Sequence, residues 1–374
     1  MSKAAELANL IGNINAGGGG VNRNVLINSA MNVAQRGTSS TGIGASSGYF
    51  TCDRWLFARE AGTEQARFTM TQDTASVGID SLPFQEAGIR TALKMDVTTA
   101  ESAVAVGEAS YIVQRIEGFN CSNLDIKTKP ITLSFYAKSD TKTGTMCASL
   151  YASSGGRHHV KEYSITTDWQ RFSLTFPADS SATALANDSS NELQVNFALT
   201  AGSNLQVTGD QWASGFDIAT SNQINFADST DNNWYITGVQ LEVGQNPTEF
   251  EHEPYATTFE KCLRYFHAVV PKGVNIGYFA PAWYYSSSTM VSILDHKVEM
   301  RAAPTVESND GTNDFRFYRA GTQDDFDDLS LSAPSSTKAT AFYNSTDMSG
   351  TQGDAGGLYI NDTTNAFFYL KAEL

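Results

Sequence analysis

The sequence predicts an all-β protein: an antiparallel sandwich followed by a smaller C-terminal β domain, with a short amphipathic helix at the N-terminus. Apolar residues recur at every second position over most of the chain, and Gly, Ser, Asn and Asp cluster between these runs. Helical spacing is confined to two short segments. The resulting division is residues 1–23 (anchoring helix and glycine-rich tether), 24–250 (sandwich), 251–266 (linker and short helix) and 267–374 (C-terminal β domain).

The N-terminal segment has the first helical pattern. An apolar stripe at i, i+3, i+4 and i+7 is formed by Leu7, Leu10, Ile11 and Ile14. The glycines at 17–20 end the helix and supply a flexible tether. Because so short a helix is marginal alone, its stripe must pack on something. We expect it to anchor the chain to a larger assembly, and packing on its own domain is the alternative.

Residues 24–250 alternate with a period of two. Ile131, Leu133, Phe135 and Ala137 share one face in "ITLSFYAK", and the same pattern occurs in "LQVNFAL" (193–199) and "IRTALKMDV" (89–97). Further strands are expected at 66–71, 110–117, 169–176 and 234–243. Segment 201–233 is polar and weakly patterned, which predicts a long loop with one or two short strands.

Beyond residue 255 the period changes and then returns to two. Phe259, Cys262, Leu263 and Phe266 have helical spacing, so "TTFEKCLRYFH" predicts a short helix. Strand patterns follow in "NIGYFAPAWYY", "TMVSILDHKV" and "FRFYR". The final run, 358–374, predicts a hairpin around a five-residue Asn/Asp/Thr turn.

Charge and composition exclude several classes of function. The net charge is −15 and the pI is about 4.7, so the phosphate backbone would repel the chain, and we expect no nucleic-acid partner. No run approaches the ~20 apolar residues of a membrane span, and "MSKAAELANLIGN" lacks the apolar block of a secretory signal. We therefore expect no membrane insertion and folding in a cytoplasm. The four cysteines are widely spaced, which predicts reduced, buried thiols.

One acidic run has the density of a metal site. Glu249, Glu251, His252 and Glu253 lie within five positions, but strand parity puts the three glutamates on one side and His252 with Phe250 on the other. We interpret the run as a joint between domains, in which Phe250 and Tyr255 pack on a core; a calcium site is the alternative. "DDFDD" at 324–328 lacks the glycine and distal glutamate of a calcium loop, so we expect a solvated acidic loop.

Two groups are candidate glycan-binding residues. Trp283, Tyr284 and Tyr285 precede a Ser/Thr-rich turn, and aromatic rings beside hydroxyls suit sugars. The alternative is that alternate members of the trio fill the core. His158 and His159 are adjacent in an expected turn, where they are surface residues or take part in polar recognition.

Catalytic signatures are missing from the sequence. There is no G-x-S-x-G motif, and the glycines at 17–20 fit neither phosphate-binding fingerprint. We therefore expect no enzyme activity, no catalytic residue, no metal and no cofactor.

Several ordered motifs resemble one family. Residues 24–57 contain "NVLINSAMNVAQRGTS" and "YFTCDRWLF", and "KPITLSFYAKS" and "WQRFSLTF" follow at 129–139 and 169–176. "WYITGVQLEVGQNPTEFEHEPYATTFEKCLRYF" closes the large domain at 234–266, and "AFFYLKAEL" ends the chain. This series is similar to virion fibre and tail-fibre-like proteins of tailed bacteriophages.

The resemblance implies a jelly-roll module similar to carbohydrate-binding modules, in a trimeric virion fibre that recognises host-surface glycans. Its other partners would be virion proteins, contacted through the N-terminal segment, and it would be assembled in the host cytoplasm. Tail, neck and capsid-attached fibres all fit. Two competing hypotheses are a polysaccharide-degrading tailspike-type enzyme and a lectin-like cellular binding module.

Overall fold

A computed structural model describes residues 3–4, 22–60, 62, 65–309, 311–332 and 335–374. The chain forms two compact units. The first comprises residues up to 34, 38–255 and Leu374; the second comprises Gln35–Gly37 and Ala256–Glu373. The anchoring residues Leu7, Leu10, Ile11 and Ile14 lie outside the described residues.

The first domain is an antiparallel jelly-roll sandwich, as predicted. Its strands are β1 (Ser39–Ile43), β2 (Gly48–Tyr49), β3 (Leu56–Glu60), β4 (Arg67–Asp73), β5 (Ala92–Thr99), β6 (Ala109–Glu117), β7 (Ile131–Ser139), β8 (Gly144–Ala152), β9 (Arg157–Ile165), β10 (Gln170–Phe176), β11 (Asn191–Ala201), β12 (Ala213–Ser214) and β13 (Asn233–Val243). One sheet has the order β1-β4-β5-β13-β7-β10 and the other the order β12-β9-β8-β11-β6-β3-β2. The chain crosses repeatedly between the two sheets, so neighbours within a sheet are often distant in sequence.

The predicted strand faces build the core between these sheets. Ile131, Leu133, Phe135 and Ala137 of β7 are buried together with Leu193, Val195, Phe197 and Leu199 of β11. Burial of one face against the opposite sheet is what makes alternation a usable signal. The polar segment 201–233 contributes only β12 and a 3₁₀ turn at Ser203–Leu205, as expected.

A glycine in β13 lets the N-terminal segment join the sandwich. Gly238 has φ +59°, and the register of β13 against β7 shifts between Thr237 and Gln240. The bulge releases the backbone of Val239, whose N–H donates to Ser29 O at 3.1 Å and whose carbonyl accepts from Asn24 Nδ2 at 3.0 Å. Residues 24–29 are thereby fastened to β13.

A short helix that the sequence did not reveal covers part of one sheet. This helix, α1 (Leu82–Ala87), has Pro83 in its first turn and ends at Gly88, which has φ +60°. Phe250 packs against a small apolar cluster that includes Ala87 of this helix and Tyr136 of β7.

All but the first residue of α2 (Tyr255–Leu263) belong to the second domain. This is the helix predicted from the spacing of Phe259, Cys262 and Leu263. Phe266 lies beyond its end, in the first of ten strands. These are β14 (Phe266–Val270), β15 (Tyr278–Ser286), β16 (Thr289–Asp295), β17 (Thr305–Ser308), β18 (Phe315–Arg319), β19 (Thr322–Phe326), β20 (Ser330–Ser332), β21 (Ala339–Asn344), β22 (Ala355–Ile360) and β23 (Phe368–Lys371).

These strands form a three-stranded sheet, β14-β23-β17, and a seven-stranded sheet, β19-β18-β22-β15-β16-β21-β20. The prediction of a hairpin at 358–374 is wrong, because β22 and β23 belong to different sheets. Asp362 explains the change of direction: its carboxylate accepts the N–H of Thr364 at 2.7 Å, and its own N–H donates to Asp314 O at 3.0 Å. After this turn the chain continues into the three-stranded sheet as β23 instead of pairing with β22.

Two further expectations concern buried and exposed side chains. All four cysteines are buried, as predicted. Tyr255 is 59% exposed, so the prediction that it packs on a core is wrong; it occupies the first position of α2. Within the described part of the chain, no helix is long and apolar enough to cross a membrane.

Candidate glycan-binding site

The aromatic trio of the sequence analysis lies on β15, in the middle of the seven-stranded sheet. Strand alternation separates its members: Tyr285 is 66% exposed, Trp283 is half-buried and Tyr284 is 1% exposed. Only Trp283 and Tyr285 therefore point away from the core.

Tyr284 takes part in a polar network inside the second domain. Its hydroxyl donates to the Asp324 carboxylate, and the Arg319 guanidinium lies 4.6 Å from its ring centroid. Burial, and then the hydrogen bond to Asp324, raise the pKa of Tyr284. The side chain has almost no surface to offer a ligand, so for Tyr284 the core alternative holds.

A bulge in β15 brings a further tyrosine to the outer face. The register against β22 shifts between Tyr278 and Ala280, and both Phe279 and Ala280 turn toward the core. Tyr278, which precedes the bulge, is consequently on the same side as Trp283 and is 60% exposed. Simple alternation along the sequence hides this residue.

Neighbouring strands complete an outward aromatic surface. Tyr359 lies opposite Tyr278, with ring centroids 5.4 Å apart, and Tyr318 lies opposite Gly357. A Cβ on Gly357 would come within 2.6 Å of the Tyr278 ring, so the missing side chain leaves room for that ring to lie on the sheet. On β21, Tyr343 alternates with the buried Phe342 and lies opposite Val291 of β16. We call this surface the aromatic face; it comprises Tyr278, Trp283, Tyr285, Tyr318, Tyr343 and Tyr359.

Two residues of opposite charge on the aromatic face, Arg316 and Asp325, form an ion pair. Arg316 binds Asp325 through two hydrogen bonds of 2.6 and 3.0 Å, and the pKa of Arg316 is raised by that contact. The prediction that 324–328 is a solvated acidic loop is wrong for Asp324 and Asp325, because both lie on β19 and bind arginines of β18. Cross-strand pairing, not sequence composition, determines their role.

His158 and His159 are placed differently from the prediction. They lie on β9, not in a turn, and both are completely buried. His158 Nε2 is 3.2 Å from the Asp217 carboxylate, and the His159 ring packs edge-on against Phe176 and Trp212. Burial lowers the pKa of His159 to about 4, although the nearby Asp210 acts in the opposite direction. Neither ring has exposed surface for a glycan.

The acidic run at 249–253 has a structural role. The Glu251 carboxylate accepts the backbone N–H groups of Asn22 and Asn24 at 2.6 and 2.9 Å. Phe250 and His252 share one side as parity predicts, with ring centroids 5.3 Å apart. Across the described ranges, no group of three or more His, Cys, Asp or Glu residues could hold a metal ion. Glu251 thus fixes the backbone of residues 22–24 to the segment that follows β13.

Comparisons with known proteins return structures only. No family model matches the chain, and no curated protein sequence matches it. A family 11 carbohydrate-binding module from Clostridium thermocellum, in complex with a β-1,3-1,4-mixed-linked tetrasaccharide, is 11% identical, with a TM-score of 0.29. The match covers 56% of this chain and 98% of the module.

Two further structures show similar levels of likeness. A putative sugar binding protein from Bacteroides thetaiotaomicron is 11% identical, covering 59% of this chain and 99% of that one, with a TM-score of 0.31. The enzymatically active domain of tailspike protein 4 from bacteriophage CBA120 is 13% identical, covering 51% and 19%, with a TM-score of 0.27. Likenesses this low carry no argument about ligand or activity, and the fold is defined by the sheet topology itself.

Proposed function

We propose that this chain is a non-enzymatic structural protein of a bacteriophage virion, a tail, neck or capsid-attached fibre that adheres to host-surface glycans through the aromatic face. The proposal combines the family resemblance, which covers nearly all of 24–374, with the surface chemistry of the second domain. Its N-terminal segment would attach it to other virion proteins.

The exposed rings of the aromatic face are the observation that carries glycan adhesion. Tyr278 and Tyr285 are 60% and 66% exposed, and Tyr318 is 42% exposed. An aromatic ring offers a flat apolar surface to the C–H groups of a sugar, while tyrosine hydroxyls can bond its hydroxyls. Because Arg316 and Asp325 neutralise each other, the surface suits a ligand bound by stacking and neutral hydrogen bonds.

A fibre can use such a shallow site because it presents several copies. A single sugar contact on an open sheet is weak, but three linked copies convert later contacts into intramolecular events. We therefore propose a homotrimer. Light scattering on the purified full chain tests this, and a stable monomer would contradict it.

A glycan microarray tests adhesion. We expect Tyr278→Ala/Trp283→Ala to remove two stacking contacts of about 1 kcal/mol each. The binding free energy of one aromatic face should then weaken by about 2 kcal/mol, which is about thirtyfold in affinity. Phe119→Ala is the matched control, because Phe119 is a 50% exposed ring in the first domain, and it should bind like the unmodified chain. Equal binding by the double variant and the control would refute adhesion through this face.

The exposed apolar area of the aromatic face also fits a protein interface. The same double variant distinguishes the two functions. A change in oligomeric state with undiminished glycan binding per chain would assign the face to subunit contact.

Virion location and lack of catalysis have their own measurements. Antibodies against the chain should label an appendage on purified particles in electron micrographs, whereas unlabelled particles would exclude the virion role. Incubation with the bound glycan should release no reducing ends. A rising reducing-end signal would support the tailspike-type enzyme instead.

A further inference from the structure

A cleft of about 450 Å³ opens on the first domain, far in sequence from the aromatic residues. Its lining comes from β9 (160–162) and from two arms of the long polar segment, 207–210 and 220–222. The two arms are tied together by the Val207 N–H, which donates to Ala219 O at 2.9 Å. This volume falls within the usual ~300–1,000 Å³ range of small-molecule sites.

The Glu162 carboxylate is held in place at the cleft. Its Oε1 atom accepts hydrogen bonds from the Thr220 hydroxyl and from Asn222 Nδ2, the latter at 3.0 Å. Its Oε2 atom has no hydrogen-bond partner among the residues that the structure describes. One oxygen therefore fixes the orientation of the group. The other belongs to an exposed side chain, where it can accept a hydrogen bond from water or from a ligand that displaces it.

The remaining charges of the cleft are already paired. Lys161 Nζ lies 2.6 Å from Asp210, so their charges largely cancel and Glu162 leaves one net negative charge. An anionic ligand would be repelled by this carboxylate. A neutral hydroxyl or an ammonium group would instead form a charge-assisted hydrogen bond with it.

The rest of the lining suits a compact polar ring. Val160 and Val207 supply apolar surface, while Thr208, Ser221 and Asn222 supply hydroxyl and amide groups. A sugar ring combines C–H faces with hydroxyls that both donate and accept, which matches such a mixture.

We propose that this cleft binds a neutral or amine-bearing sugar residue, with Glu162 accepting a hydrogen bond from it, and that it rejects sugars carrying carboxylates. The inference rests on the proposed function in taking the ligand to be a glycan, but it assigns a second site on the other domain. Glu162 would thus act as a specificity-determining residue against acidic glycans.

The experiment uses the full chain on an array of neutral, amine-bearing and uronate-bearing oligosaccharides. Tyr278→Ala/Trp283→Ala removes the contribution of the aromatic face, and Glu162→Gln is added to that background. Glu260→Gln, an exposed position on α2, is the control because it removes the same charge elsewhere. Melting curves by circular dichroism verify that each variant is folded.

We expect the aromatic-face variant to retain binding to neutral or amine-bearing saccharides, and Glu162→Gln to weaken this binding about tenfold. The same substitution should reduce discrimination against uronate-bearing saccharides. Hydrogen exchange with the most strongly bound array saccharide should slow at 207–210 and 220–222. Equal saccharide binding by Glu162→Gln and Glu260→Gln would overturn the proposal that the cleft binds a sugar. Slowed hydrogen exchange only at residues outside the cleft would overturn it as well.

The two sites fail separately in this design. Loss of all saccharide binding in the aromatic-face variant would show that the cleft is not a binding site and would leave the proposed function intact. If that variant kept full saccharide binding and the added Glu162→Gln substitution abolished it, glycan adhesion would be assigned to the cleft instead of the aromatic face. No saccharide binding by the unmodified chain would overturn both.

Discussion

Asn28 offers the sharpest test of how the first domain holds together. It is buried and has φ +56°. Its Nδ2 donates to Val33 O at 2.8 Å and Asp53 O at 2.9 Å, while its Oδ1 accepts the Val33 N–H at 2.9 Å. One side chain therefore joins the N-terminal segment to the residues just before β3.

We expect Asn28→Ala to lower the free energy of unfolding by about 4 kcal/mol. Three buried hydrogen bonds at about 1 kcal/mol each account for about 3 kcal/mol. Alanine in the left-handed region adds about 1 kcal/mol. Both residues carry a Cβ that crowds the backbone there, but only the polar amide of asparagine offsets this strain through local polar contacts. Asn28→Asp should also destabilise, since a carboxylate oxygen would face the two carbonyls that Nδ2 now satisfies.

Urea unfolding followed by tryptophan fluorescence measures this effect. Four of the five tryptophans lie in the first domain, and Trp55 Nε1 donates to Asn28 O at 3.0 Å, so the signal reports on the substituted region. Asn187→Ala, at an exposed position, should change stability by no more than about 0.5 kcal/mol. If Asn28→Ala costs less than about 1 kcal/mol, the reasoning is refuted.

Three other expectations can be measured by equilibrium unfolding. His159 has a pKa of about 4 when folded against 6.5 normally, so between these values the unfolded chain binds more protons than the folded one. The free energy of unfolding should therefore fall by up to about 1.4 kcal/mol for each pH unit by which the pH is lowered from 6.5 towards 4. An unchanged pH dependence in His159→Phe would count against this. Gly238→Ala places a Cβ 2.7 Å from Ile89 Cδ1 at φ +59° and should cost about 3 kcal/mol. Gly42→Ala, at φ +75° with no atom within 4 Å of the added Cβ, should cost about 1 kcal/mol, and equal costs for the two variants would contradict the crowding. Arg319→Met leaves Asp324 and Asp354 without their arginine and should destabilise the second domain by about 3 kcal/mol. Hydrogen exchange at β18 and β19 in increasing urea measures this loss, and a value under about 1 kcal/mol would be the contrary result.

The sequence alone determined the strand faces and the all-β class. Alternation is local: each residue's face follows from its immediate neighbours once the backbone is extended. For this reason "ITLSFYAK" and "LQVNFAL" predicted correctly which side chains of β7 and β11 face the core between the sheets, although the opposite faces of both strands are buried as well. The two helical spacings had the same local origin, and the second was confirmed as α2.

Only the tertiary structure decided which strands pair and which side chains those pairs cover. Segment 358–374 looked like a hairpin, yet β22 and β23 join different sheets. His159 looked exposed, but Trp212, more than fifty residues later, packs against its ring. Tyr278 reached the aromatic face through a bulge that alternation cannot reveal. Each of these outcomes depends on contacts between residues distant along the chain, and a local pattern carries no information about the partner.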